Sequence, residues 1–375
     1  MMFNAYLTSF GEFLPGDAVD NDHIEDHIGI VGDGISKYKN LVLRQNKIKT
    51  RHYASNADGS FDYTVAEIAA EAIKNAFENG EAELSDLEFL ATSCSIHDSI
   101  LPGLASIVHS KLDIEPIDVS SSQSVCGSSI MALRNAVNSI KVGEFKTAVI
   151  SGSEIASRHF RPTFYEGTDY FKENNSLPLD QEFLRYTLSD GAGAVVCESR
   201  PNSKGISLKV NWINAKSYAN RFPTCMIGGA IQENGRLISW GNQESLETAI
   251  EKGCFALTQD LKLVYEMIPV WVGHYLSLVE EGTIVPDKID HVVSHYSSES
   301  LKTEVVKLLT QAGAMIDDEK WFSNLTYKGN TGSASIFILL NELFYSGKLK
   351  TGETILCHVP ESGQAYNSFM LLEVV

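Results

Sequence analysis

The chain has no run of eighteen uninterrupted apolar residues, so no transmembrane helix is expected. Its opening Met1-Met2-Phe3-Asn4-Ala5-Tyr6 carries neither a basic cluster nor a long apolar core, and a cytoplasmic start is expected. Cysteine is sparse: Cys94, Cys126, Cys197, Cys225, Cys254 and Cys357 stand far apart, with no Cys-x-x-Cys pair. That spacing argues against zinc sites and a disulfide framework, and favours a reducing compartment. Positive charge is scarce too. Thirty Lys+Arg against 48 Asp+Glu leave a net charge of −18. Repulsion then disfavours nucleic acid and anionic membranes, and an acidic protein partner would need a local basic patch. No Gly-x-Gly-x-x-Gly leads into a helix. Ser189-Asp190-Gly191-Ala192-Gly193-Ala194 lacks that spacing and is expected to be a tight hairpin turn before a strand, which excludes nucleotide binding there. Low-complexity stretches and Pro- or Gly-rich linkers are absent.

What remains is a large core-forming chain of 375 residues, 43% hydrophobic and 21% charged. That supports one big domain or two intimate halves. Apolar runs predict strands at Leu90–Cys94, Thr147–Ser151, Gly193–Cys197, Ile206–Ile213, His291–Ser294, Thr354–His358 and Phe369–Val374. Helical spacing predicts Glu244 to about Leu278, with Pro269 as a break or kink, then Lys302–Ala312 and Ser335–Tyr345. Alternating strands and helices imply an α/β protein with parallel sheet character, and the strand–helix–strand units hint at an internal duplication.

Cys126 is the residue with the most chemistry in its surroundings. Asp118-Val-Ser-Ser-Ser-Gln-Ser-Val-Cys126 breaks from a β-prone stretch into small residues, and Ile130, Leu133, Val137 and Ile140 then recur at helical spacing. A thiol at a helix start faces unpaired N–H groups and the positive end of the dipole, which favour the nucleophilic thiolate. The plain alternative is an inert cysteine packed among Ser and Gly. Val292-Val-Ser-His295 delivers a histidine at a strand end, where open α/β sheets place ligands. Tyr327-Lys-Gly-Asn330-Thr-Gly runs into an apolar helix and puts an amide near its start. Singly, His295 reads equally well as a structural histidine and Asn330 as a turn residue. Together the three make a thioester-handling kit: a thiolate to take an acyl group, and two N–H donors for an oxyanion or enolate.

On these residues the sequence resembles the β-ketoacyl-acyl carrier protein synthase III family of the thiolase superfamily. The Cys126 turn, Gly152-Ser-Glu154, Asp190-Gly-Ala-Gly-Ala194, His295 and Gly329-Asn330-Thr331 follow the family's order across almost the whole chain. The resemblance implies a five-layered α-β-α-β-α sandwich of two duplicated halves, residues 1–203 with Cys126 and 204–375 with His295 and Asn330. It also implies a homodimer, no cofactor, and acyl-coenzyme A or acyl carrier protein thioesters as substrates. Gly363 would shape the site, and Arg44, Lys47, Arg51 and Arg158, with Lys49, would meet the coenzyme or carrier. Departures from the family pattern are visible. His-Gln-Ala-Asn becomes His295-Tyr-Ser-Ser298, Arg-Thr-Gly-Ile becomes Arg44-Gln-Asn-Lys-Ile48, and the adenine-stacking Trp is missing. Extra residues fill 159–189 and 217–241. Pro15-Gly-Asp, His23-Ile-Glu-Asp-His27 and Thr50-Arg-His-Tyr53 look like the branch that condenses two longer acyl chains into dialkylresorcinol-type aryl lipids.

The expected activity is Claisen condensation in fatty-acid or specialised lipid biosynthesis. Acylation of Cys126 would precede attack by a second, 3-oxoacyl thioester held under His295 and Asn330. Three other readings stay open: acyl transfer to an oxygen or nitrogen nucleophile, a papain-like protease, and a catalytically silent partner subunit.

Overall fold

The computed structural model describes residues 3–375. The strands of its main sheet are β1 (Tyr6–Phe13), β2 (Phe89–Cys94), β3 (Asp118–Gln123), β4 (Thr147–Glu154), β5 (Gly191–Glu198), β6 (Leu208–Ser217), β7 (His291–Ser294), β8 (Trp321–Phe322), β9 (Thr354–Glu361) and β10 (Tyr366–Val374). Its main helices are α1 (Lys39–Asn46), α2 (Val65–Glu78), α3 (Leu104–Leu112), α4 (Ser128–Val142), α5 (Asp169–Asn174), α6 (Leu179–Arg185), α7 (Leu246–Glu251), α8 (Leu261–Glu280), α9 (Glu299–Gln311) and α10 (Ser335–Tyr345).

The ten strands form one sheet in the order β8-β7-β9-β10-β6-β1-β5-β4-β2-β3. Each half repeats one pattern. β3, β2 and β4 are parallel neighbours, followed by antiparallel β5 and β1. β8, β7 and β9 are likewise parallel, followed by antiparallel β10 and β6. The halves join where Tyr6 and Leu7 pair with Lys209 and Leu208.

Side-chain alternation along the strands builds five layers. Ala148 and Ile150 of β4, and Ile355, Cys357 and Val359 of β9, point into a central core holding α4 and α10. Val149 points the other way, onto α2 and α3. Leu356 points away from the centre onto α8 and α9. The layers are therefore α2/α3, sheet, α4/α10, sheet, α8/α9. Central strands buried on both faces read as continuous apolar runs, which is why β4, β7 and β9 were legible.

Local signals set the helix ends. Thr64 and Glu67 form a reciprocal capping box at α2, and Gly143 closes α4 in a left-handed conformation. Residues 244–278 are not one helix. α7 ends at Glu251, and Thr258–Gln259 is a short strand before α8. Pro269 neither starts nor ends α8 but sits inside it. Neighbouring layers hold that helix together, since Met267, Ile268, Trp271 and Val272 around the proline are all buried. The Ser189–Ala194 segment is not a hairpin turn either. It leads from α6 into β5, and the buried Asp190 carboxylate accepts the Ala54 N–H (2.8 Å), the Ser157 N–H (2.9 Å) and the Ser157 hydroxyl. Burial lifts that carboxyl to about 6. Asp190 is thus an internal anchor for three strands of chain.

Candidate active site

Cys126 occupies the turn between β3 and α4, one residue before the Gly127 cap. The turn is tied down locally: Ser128 N–H donates to Val125 O at 3.2 Å, and the Ser129 hydroxyl donates to Cys126 O at 2.9 Å. His295 follows β7 directly, and its N–H donates to His358 O at 2.9 Å, extending the β7–β9 pairing by one residue. Asn330 precedes the tight Gly332–Ala334 turn that opens α10. Its Oδ1 accepts the Gly332 N–H at 2.9 Å and its backbone carbonyl accepts the Ser189 N–H at 2.8 Å. The Nδ2 end is left as a donor. Gly332 has φ +56°, where a Cβ would be strained.

All three side chains line one cavity of about 480 Å³. Its wall is mostly apolar. Phe164, Phe183 and Leu184 come from the 159–189 segment, and Met226 and Trp240 from 217–241. Ile268 and Trp271 of α8, and Leu301 and Val305 of α9, line it on the other side.

The electrostatics differ from a simple helix-start thiolate. Cys126 is 8% exposed, and burial pushes its thiol up, with the Glu361 and Glu154 carboxylates pushing the same way. His295 is lowered to about 4 by burial, so its ring is neutral at physiological pH and keeps one N–H to donate. Three more groups in the site escaped the sequence reading as functional. His358 lines the cavity and is lowered to about 3 by burial. It continues a buried chain: Ser294 Oγ to His358 Nδ1 (3.0 Å), His358 Nε2 to Asn367 Oδ1 (2.9 Å), Asn367 Nδ2 to His274 Nδ1 (3.2 Å). Glu154 lines the cavity and is lifted to about 7 by burial. Glu361 lies behind Cys126, raised by burial. The available signal was an acid three residues beyond each of two expected strands, Thr147–Ser151 and Thr354–His358.

The expected cation rim divides. Arg44, Lys47 and Lys49 are exposed around the end of α1. Arg51 is 0% exposed, and its guanidinium donates to Asn21 Oδ1 (2.8 Å) and Tyr186 O (3.2 Å). It is an internal brace and cannot meet a carrier at the surface. Arg158 is half-buried and paired with Asp98 at 2.8 Å. Gly363 is not among the cavity-lining residues. Its Cα faces Val125, where a Cβ would lie 2.9 Å from the Val125 Cγ2.

Residues 279–371 match the family model described as 3-oxoacyl-[acyl-carrier-protein (ACP)] synthase III C terminal. A β-ketoacyl-[acyl-carrier-protein] synthase III of Clostridium perfringens is 26% identical over 359 residues, covering 95% of each chain. The chain is a relative of the β-ketoacyl-acyl carrier protein synthase III family. The fold of this synthase III relative is thiolase-like, and it superposes on solved condensing enzymes. AbyA1, a tetronic acid condensing enzyme, has TM-score 0.76 and 21% identity, with 98% of this chain and 99% of that one covered. OleA of Xanthomonas campestris has TM-score 0.74 and 18% identity, covering 100% and 99%. Residues of the 159–189 and 217–241 segments form part of the cavity wall. Among the described residues no cluster of ligands could hold a metal ion, and no helix is long and apolar enough to cross a membrane.

Proposed function

We propose that the protein is a transferase of the condensing family that acylates Cys126 and joins the acyl group to a second thioester by Claisen condensation. The observation that carries this reading is the convergence of Cys126, His295 and Asn330, from three separate loops, on one apolar-walled cavity. The Cys126 sulfur attacks the first thioester carbonyl, and the departing thiolate leaves with the cysteine's proton. A 3-oxoacyl thioester then takes its place. The His295 N–H and the Asn330 Nδ2–H hold its thioester oxygen as the enolate forms. Glu154 Oε1 is occupied by Ser95 and Ser333, which leaves Oε2 to accept the C2 proton. The carbanion attacks the acyl-cysteine carbonyl, the C–C bond forms as the Cys126 S–C bond breaks, and the proton held by Glu154 returns to the Cys126 thiolate. No cofactor is needed for this chemistry.

The finer reading rests on two supports. The long apolar wall suits two extended acyl chains, as in dialkylresorcinol-type aryl-lipid synthesis. Exposed Arg44, Lys47 and Lys49 suit an acidic acyl carrier protein in spite of the overall charge of −18. The chain divides near 203/204, in the connection between β5 and β6, into the nucleophile half and the donor half, and functions as a homodimer in the cytoplasm.

Intact-protein mass spectrometry after incubation with a panel of acyl-coenzyme A and acyl-carrier thioesters tests the reading. A single acyl adduct on Cys126 is expected, lost in Cys126→Ala, with carrier thioesters outcompeting matched coenzyme A thioesters. An adduct on Cys94 or Cys225 would sink it. Product analysis lacking a new C–C bond would move the reaction to acyl transfer onto an oxygen or nitrogen nucleophile.

A further inference from the structure

Glu154 ends β4 and Glu361 ends β9, and these strands hold the same place in the two halves. Each carboxyl reaches the start of the other half's central helix. Glu361 Oε2 accepts the Gly127 N–H at 2.9 Å, and its Oε1 accepts the Ser124 hydroxyl at 2.8 Å. Glu154 Oε1 accepts the Ser333 N–H at 3.3 Å ahead of α10, together with the Ser95 N–H at 2.9 Å and the Ser95 hydroxyl at 2.8 Å. A Cβ on Gly127 would lie 2.7 Å from Glu361 Oε2, and one on Gly332 would lie 2.9 Å from Glu154 Cγ. Both helix starts therefore need glycine against the carboxyl.

The two contacts differ in what they touch. Gly127 follows Cys126 directly, and its N–H is one of the unpaired donors at the start of α4. Such donors ordinarily favour a thiolate beside them. Here a buried carboxyl already occupies that donor and places negative charge behind the sulfur. The acids acting on Cys126 are Glu361 and Glu154, and both oppose its ionisation. Glu361 itself faces Ser124, Val125 and Gly127 of the nucleophile turn and the Tyr366 phenol of β10. His295 and His358, which line the cavity, are neutral and add no compensating positive charge.

We propose that Glu361 is a positioning residue that fixes the Cys126 turn and, added to burial, opposes ionisation of the resting nucleophile, with Glu154 acting weakly in the same sense. The inference rests on the reading of Cys126 as the nucleophile. It gives the acylation step its proton. The Cys126 S–C bond forms, the thioester S–C bond breaks, and the thiol proton leaves on the departing carrier thiol. It also shields the empty enzyme from stray electrophiles.

Glu361→Gln tests this with little change of shape. The amide oxygen can accept the Gly127 N–H while the NH₂ donates to the Ser124 oxygen. The measurement is the iodoacetamide alkylation rate of Cys126 in the full chain, followed on its own peptide from pH 6 to 10, beside the thermal midpoint. The E361Q profile is expected to move to lower pH by about one unit. The rate near neutrality then rises about threefold, because a lower thiol pKa gives more thiolate but a weaker nucleophile. Glu154→Gln is expected to move the profile the same way by less. A wild-type profile in a folded E361Q protein overturns the proposal. Should E361Q fail to fold, an unmoved E154Q profile overturns it instead. A shifted alkylation profile on a Cys126 that never takes an acyl group would sink the nucleophile reading, and with it the acylation role, and leave only the contact of Glu361 with the Cys126 turn and its effect on the thiol.

Discussion

In the N-terminal half, β3 runs through Cys126 into α4; in the C-terminal half, the chain after β8 runs through Asn330 into α10. The residue after β2 is Ser95, whose N–H and hydroxyl both serve Glu154. The residue after the matching β7 is His295, which faces the cavity. The same places in a duplicated frame thus carry a nucleophile and an acid's partner in one half, and two neutral donors in the other. The buried polar chain through His358, Asn367 and His274 lies in the C-terminal half. In the matching strand β4, the buried hydroxyls of Ser151 and Ser153 have no partner. A duplicated backbone supplies equivalent positions, and side-chain chemistry divides the labour between them.

The sharpest test of that division removes one group from each side. Cys126→Ala should abolish both acylation and condensation. His295→Ala and Asn330→Ala should each leave Cys126 acylation measurable and cut condensation by about 10²–10³, the worth of one oxyanion donor at about 2.7–4 kcal/mol. Condensation near the wild-type rate in either donor variant would dissolve the comparison.

The cavity walls come next. Leu184→Trp narrows the N-terminal wall and Val305→Trp the wall built by α9. Each should lower use of long-chain thioesters by about tenfold against a short-chain one, since each methylene shut out is worth about 1–3 kcal/mol. Competition assays over a chain-length series would check this, and an unchanged length preference in both variants would remove the acyl chains from this cavity.

Titration separates the halves in a third way. His274 and His295 are lowered to about 4 and His358 to about 3, all by burial. Between pH 6.5 and 4 the unfolded chain binds protons there that the folded chain refuses, so these groups make stability fall as pH falls. Asp190 and Glu154, raised to about 6 and 7, bind protons in the folded chain that the unfolded chain has shed, so they act in the opposite direction over the same range. Asp190→Asn should therefore steepen the acid limb of stability by up to about 1.4 kcal/mol per pH unit, besides lowering its level. Denaturant midpoints at pH 4.5, 5.5 and 6.5 read the slope directly. A shallower limb would reverse the assignment.

The smallest effect expected is at the exposed cations. Charge reversal at Arg44, Lys47 or Lys49 should slow acyl-carrier use a few-fold at low salt and have little effect at high salt. Arg51→Glu belongs to a different class, because a buried charge reversal beside Asn21 and Tyr186 should unfold the protein rather than tune docking. Salt-dependent kinetics and a melting curve distinguish the two.

Much of this was legible before any coordinates. The expected strand His291–Ser294 and helix Ser335–Tyr345 match β7 and α10 residue for residue, because a core strand and a core helix announce themselves by apolar run length and period. Cys126, His295 and Asn330 stood out because small residues and turn formers surround them where strands end. The largely helical reading of 244–278 holds for α7 and α8, but apolar spacing cannot register the break before Thr258, and Pro269 is carried by packing that no local pattern records. Arg51 was expected in a cationic rim because its segment resembles the family's basic segment. Only the fold brings Asn21 and the Tyr186 carbonyl to its guanidinium.

Sequence by itself determined the α/β class, the order of the catalytic elements and the residue types at their tips, since these follow from local period and turn chemistry, while the layer scheme came from the family resemblance. Tertiary structure decided which of those tips meet and in what charge state they do so. The Cys126 thiol is pushed up first by burial and then by carboxylates distant in sequence, among them Glu361, bonded to the neighbouring Gly127 N–H at 2.9 Å. Proximity across a packed interface and exclusion of water are properties of the whole assembly, so no local pattern encodes them.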